Sequence, residues 1–323
     1  MTRASGVGSL PGEDLREAVR TVLGELPDLP HLPELPARGA VAGLTGRGVA
    51  VIGDLGFDLQ PAGWRLTDAP GVDHRRARSL LAQDLDVLEE ESQGLVGPLK
   101  VQVAGPWTLA ATVEKPRGDK VLSDHGARRD LAQALAEGVR THLADLARRV
   151  PGAELVLQLD EPALPAVMAA RVPTASGFGR HRTVTPPVAS EALEWVLAAA
   201  GDRLTVAHCC DPDVPVGLLR GAGAGGVSVD VTTLAVTAYD ELATVLDEGG
   251  TALLGVLPAT GSGTPSTKAV VERTMRLLDM LGLDPGEVAD QLVLTPTCGM
   301  AGASPAYARA LLTTLREAAA ALS

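Results

Sequence analysis

Aromatic side chains are nearly missing from this chain of 323 residues, which has two Phe, two Tyr and three Trp. A core organised around large rings is therefore excluded, and the interior has to be built from Leu, Val and Ala, which suit stacked aliphatic layers. Basic charge is short as well. Lys and Arg number 28 against 40 Asp and Glu, a formal charge of −12, and the basic residues are scattered over helix-like segments without forming a stripe. Nucleic acid is accordingly excluded as an expected partner. No stretch approaches the ~20 apolar residues of a membrane span, and the first dozen residues carry Gly, Ser and Pro where a signal peptide has an apolar run. A soluble, cytoplasmic protein with no membrane partner is expected. Cysteine is the last scarcity: three is an odd number in a large chain, which argues against a disulfide framework and leaves metal binding or buried thiols.

What is abundant is short apolar runs of strand length, at residues 6–10, 49–53, 100–104, 154–159, 204–207, 226–229, 252–257 and 292–295. Between them lie stretches with helical spacing and charge, such as 73–93, 127–150, 190–200, 239–248 and 266–281, with 304–322 as a closing helix. Strand and helix alternate, and the expected architecture is α/β, a single (β/α)8 TIM barrel over residues 1–323. A doubly wound sheet is the rival. The first run ends in Gly8-Ser9-Leu10-Pro11-Gly12, however, which lacks the G-x-G-x-x-G spacing of a dinucleotide site. The Pro-rich stretch from Pro27 to Pro36 reads as a loop after the first helix.

In such a barrel the carboxyl ends of the strands converge on one face. His208 and Cys210 follow the run ending at Ala207, and Cys298 follows the run around Thr295. Residues two apart on a strand share a side, so His208 and Cys210 are expected to face together while Cys209 turns away. Two thiols and an imidazole suit zinc(II), which favours four-coordinate N/S sites. The plainer alternative is that the thiols are buried as small hydrophobes and the histidine is only hydrogen-bonded. Asp230, at the end of another strand run, is a fourth candidate ligand, or simply a cap or solvated carboxylate. Asp160 and Glu161 end a further strand. Neighbours on a strand diverge, so one is expected at the barrel mouth, able to take an ammonium group, and the other in a surface pair.

Taken together, Val7-Gly8-Ser9, the run from Val103 through Gly105-Pro106 to Thr108, Asp160-Glu161-Pro162-Ala163, His208-x-Cys210 and Pro296-x-Cys298-Gly299 resemble the C-terminal catalytic barrel of cobalamin-independent methionine synthase, in order and spacing over nearly the whole chain. The resemblance implies methyl transfer to the sulfur of homocysteine, with zinc as cofactor at His208, Cys210 and Cys298. The family's fourth ligand is a glutamate, and the matching position is Asp230, one methylene shorter. By the same carry-over Val7, Gly8 and Ser9 contact the amino-acid portion of homocysteine or methionine. Asp160 is the catalytic-site partner of the ammonium group, and Asp54 matches a second family carboxylate that follows the second strand.

Departures from the family pattern fall on the donor side. Thr112 stands where the family has a tryptophan that stacks on folate, and Leu257-Pro258-Ala259-Thr260-Gly261 has no counterpart of its proton-donating histidine. The full family enzyme also has a second, N-terminal barrel for which 323 residues leave no room. Methyl-folate needs an acid to make its amine leave, whereas a methylated corrinoid does not. A corrinoid methyl-donor protein is therefore the expected partner. Two other readings use the same residues: a zinc methyltransferase for another small thiol of the coenzyme M kind, and a homocysteine or methionine binder without turnover.

Overall fold

The structure, a computed structural model, describes residues 1–322. The chain opens with a short strand β1 (Arg3–Ala4) and helix α1 (Leu15–Glu25), then helix α2 (Leu44–Val51) and a hairpin of β2 (Gly56–Gln60) with β3 (Gly63–Thr67). After α3 (Val72–Glu91) it settles into regular alternation: β4 (Gly97–Ala104), α4 (Pro106–Thr112), α5 (His125–Arg149), β5 (Ala153–Asp160), α6 (Leu164–Met168) and α7 (Pro186–Ala198). The remainder is β6 (Thr205–Cys209), α8 (Val216–Gly221), β7 (Gly226–Asp230), α9 (Thr237–Asp247), β8 (Thr251–Leu257), α10 (Thr267–Leu281), α11 (Pro285–Val288), β9 (Leu292–Pro296) and α12 (Pro305–Ala321). Seven strands form one sheet in the order β1-β9-β8-β7-β6-β5-β4, with every pairing parallel. This is an α/β fold consistent with a TIM-like barrel.

Side-chain alternation along the strands divides the interior in two. One set, including Leu99, Val101 and Val103 on β4, Leu157 and Leu159 on β5, and Val227 and Val229 on β7, joins the large apolar core shared with the helices. From the opposite set, Leu29, Val156, Val206, Leu253 and Val293 form a separate small apolar cluster. Two residues further along those same segments stand His31, Gln158, His208, Gly255 and Thr295. This side of the sheet therefore carries an apolar cluster towards its amino end and a more polar layer beyond it.

The expected second strand at 49–53 is a correction, because Val49–Val51 is the last turn of helix α2. A five-residue apolar run does not separate a buried helix from a strand by periodicity, and α2 is buried over Gly46–Ala50. The stretch expected to be a loop takes the strand's place. Leu32 N donates to Lys100 O (2.9 Å) and Lys100 N to Pro30 O (2.9 Å). On its other side, Leu10 N donates to Glu34 O (2.9 Å) and Glu34 N to Gly8 O (3.2 Å). Pro30 and Pro33 have no N–H to give a continuous ladder, so the segment makes isolated bridges, His31 with Lys100 and Ser9 with Glu34. The first strand expected at 6–10 is also corrected: β1 is Arg3–Ala4, ahead of that run, and residues 6–10 carry only the isolated bridge at Ser9 and these bonds.

Candidate metal centre and substrate pocket

The ladder of β6 sets the metal centre. His208 pairs with Asp160 on one side and Ser228 on the other. Ser228 Oγ lies 2.9 Å from His208 Nδ1, which fixes the ring and leaves Nε2 as its free donor. Cys210 follows β6 and Cys298 follows β9, and their Sγ atoms are 3.1 Å apart. One donor atom from each of His208, Cys210 and Cys298 lies within 4.8 Å of the others. The hydrogen bond between the two thiols pulls Cys298 well below its ordinary value, helped by His208 and the backbone N–H of Gly299, and pushes Cys210 up. Cys209 points the other way, into the sheet–helix core, where burial pushes its thiol up to about 12. Two half-buried sulfurs, one ready to be thiolate, with one oriented imidazole are a donor set that fits zinc(II).

Asp230 is not one of the three residues whose donor atoms meet there. Its Oδ1 accepts from Thr232 N (2.8 Å) and Thr232 Oγ1 (2.6 Å), a local turn of the kind an aspartate makes at a strand end.

The loop after β1 packs against the segment following β9 that carries Cys298. Ser9 O accepts from Met300 N (2.8 Å). The Ser9 hydroxyl presses so close to Gly299 that a Cβ there would lie 2.2 Å from it. Glycine at 299 thus lets the loop carrying Ser9 dock beside Cys298. A Cβ on Gly8 would touch the Gln102 side chain at 3.0 Å. Val7 O accepts from Lys100 Nζ and Gln158 Nε2, both at 2.9 Å. Asp160 is buried, its Oδ1 held by Gln158 Nε2 at 2.7 Å. Burial raises its carboxyl pKa, while His208 and Lys100 pull the other way.

Two sequence expectations change here. Asp54 is exposed, in the turn between α2 and β2. The carboxylate that follows the segment in the second strand's place is Glu34, which is buried and bound by Arg47 Nε at 3.0 Å. Glu34 and Asp160 are close enough that each charge opposes the other. Sequence reasoning missed Glu34 because it took its segment for a loop; a carboxylate framed by two prolines was the available signal. Glu161, expected in a surface pair, is fully buried. It accepts from Trp107 N (2.9 Å), Thr108 N (2.7 Å) and Thr108 Oγ1 (2.7 Å), closing the first turn of α4. Gly105 precedes that turn because a Cβ there would lie 2.4 Å from the Glu161 carboxyl.

A parallel sheet that gathers two thiols and an imidazole where its strands end, beside buried carboxylates, defines an α/β enzyme with its chemistry on the carboxyl face. Residues 91–321 match the family described as cobalamin-independent synthase, catalytic domain. The chain belongs to this methionine synthase family and is a methyltransferase. No curated protein matches it in sequence. In fold it is similar to a B12-independent methionine synthase from Shewanella sp. W3-18-1 in complex with selenomethionine, at a TM-score of 0.62 and 14% identity, covering 100% of this chain and 98% of that one. A GH5_18 protein from Streptomyces cattleya follows at a TM-score of 0.43 and 16% identity, covering 100% of this chain and 80% of that one. At these identities the first likeness speaks for the fold alone, and the second carries no argument.

Proposed function

We propose that this chain methylates the thiol of homocysteine to give methionine on a single (β/α)8 barrel in which residues 30–34 stand for the second strand. In this reading zinc is held by His208, Cys210 and Cys298, with Asp230 or the substrate sulfur as the fourth ligand. The observation that carries it is the approach of those three donor atoms to within 4.8 Å, with the buried carboxylate of Asp160 on the ladder partner of His208. When bound, zinc would keep the acceptor thiol deprotonated yet nucleophilic at neutral pH. The chain's own residues orient the rest. Asp160 and Glu34 take the substrate ammonium, Ser9 and the backbone at Val7 and Gly8 hold the amino-acid portion, and Ser228 keeps the imidazole in its ligating tautomer.

The donor we propose is a methylcorrinoid, carried by a partner protein, in place of the methyl-folate usual in the family. As the sulfur–carbon bond forms, the carbon–cobalt bond breaks with its electron pair left on cobalt, and no proton is needed by the leaving group. Methyl-folate would leave as an amine and require an acid. Residues 258–261 after β8 supply no titratable side chain, and the Tyr307 hydroxyl beside them already donates to Pro258 O at 3.0 Å. The proposed setting is the cytoplasm, where thiols stay reduced. Among the described residues no helix is long and apolar enough to cross a membrane.

The test is zinc-loaded protein with homocysteine and either methylcobalamin or methyl-folate, scoring methionine. Product from methylcobalamin alone is expected. Product from methyl-folate alone would overturn the donor, and homocysteine binding with no product from either would leave a binder.

A further inference from the structure

Lys100 lies on β4, alternating with Leu99 and Val101 of the helix-side core and so facing the other side of the sheet, and it is fully buried. A buried ammonium group is costly unless its donors are satisfied and its charge is balanced. Its Nζ donates to Val7 O at 2.9 Å and to Gln158 Oε1 at 2.8 Å. Gln158 passes the constraint on: its Nε2 donates to the same Val7 O (2.9 Å) and to Asp160 Oδ1 (2.7 Å). The amide is oriented by this chain, because Lys100 offers only donors and so demands the Gln158 oxygen, which turns the Gln158 NH2 towards Asp160. The neighbouring His31 is kept neutral by burial, reinforced by the Lys100 charge. Burial lowers the Lys100 pKa to about 8, while the charges of Asp160 and Glu34 favour its protonated form.

Resting on the homocysteine reading above, we propose that Lys100, acting through Gln158, is a positioning residue that joins the Val7 carbonyl to the Asp160 carboxylate and so sets recognition of the substrate's ammonium group. Among the described residues neither Lys100 nor Gln158 bonds to His208, Cys210 or Cys298, so the relay adjoins the candidate metal centre only through Asp160, the ladder partner of His208. Loss of Lys100 therefore frees the Gln158 amide to flip, leaves the Asp160 carboxylate without its oriented donor and loosens the loop bearing Ser9. The part of the substrate that suffers is its amino group, not its sulfur.

The experiment compares two thiols on the zinc-loaded protein by calorimetry: homocysteine, and 4-mercaptobutanoate, the same molecule without the amino group. In Lys100→Met the homocysteine Kd is expected to rise about tenfold or more, the loss of a charge-assisted hydrogen bond. The 4-mercaptobutanoate Kd should stay within about twofold, and the zinc content should be unchanged. Should Lys100→Met fail to fold, Gln158→Met cuts the same relay with little change in volume and is expected to show the same selectivity. Equal weakening of both thiols, or no weakening of either in a folded variant, would overturn the role. If the unaltered protein shows no preference for homocysteine over 4-mercaptobutanoate, it is the functional reading itself that fails.

Discussion

His208, Cys210 and Cys298 were legible in the sequence because each directly follows an apolar run of strand length, and strand alternation then gives the side. Cys209 confirms the rule from the opposite face, buried among the sheet and helices. Glu34 was not legible for an equally physical reason. The prolines at 30 and 33 break the ladder donors that make a strand recognisable, yet the remaining N–H groups of Leu32 and Glu34 bond to both flanking segments. Asp54 was chosen in its place because an apolar run ends just before it. The two carboxylates are separable by mutation. Glu34→Gln is expected to weaken homocysteine binding about tenfold, the scale of a buried charge-assisted contact, whereas Asp54→Asn, in an exposed turn, should change the Kd by less than about twofold. Calorimetric titration decides it, and the reverse ranking would return Asp54 to the site.

The long helices and the strands from α3 to α12 are legible in the sequence, whereas the short helices α4, α6, α8 and α11 and the arrangement before α3 are not. The hairpin of β2 and β3 carries no such signal, and the apolar end of α2 at Val49–Val51 has the length and composition of a strand. Local chemistry at the start of α4 was also hidden. The sequence shows adjacent carboxylates but not that Glu161 faces the core and caps the Trp107 and Thr108 amides. Burial raises its carboxyl to about 7, against the ordinary 4.5, with those donors pulling the other way. Between these values the folded chain holds a proton that the unfolded chain has lost. The stability this group contributes is therefore fullest below about pH 4 and falls as pH rises through 7. Glu161→Gln cannot titrate, so the stability of the unaltered protein relative to this variant should fall from pH 5 to pH 8. The slope should approach about 1.4 kcal/mol per pH unit where it is steepest. Urea unfolding at both pH values measures it. A difference that grows with pH would mean that the three donors outweigh burial.

At the scale of the whole molecule, the near absence of aromatic residues is answered by two aliphatic cores, one between sheet and helices and one on the sheet's other side. Buried charges are balanced between the helices and the sheet: Arg38 and Arg47 hold Asp84, Arg47 also holds Glu34, and Lys100 lies near Glu34 and Asp160. Such balance suits the proposed substrate, itself a zwitterion. The central claim is that two sulfurs and an imidazole, from strands far apart in the chain, bind one ion that also takes the substrate thiol. X-ray absorption at the zinc edge tests it most directly. The expected spectrum shows two sulfurs at about 2.3 Å and a nitrogen at about 2.0 Å, with a third sulfur once homocysteine is added. A shell of light atoms alone, or a sulfur count that homocysteine leaves unchanged, would contradict it.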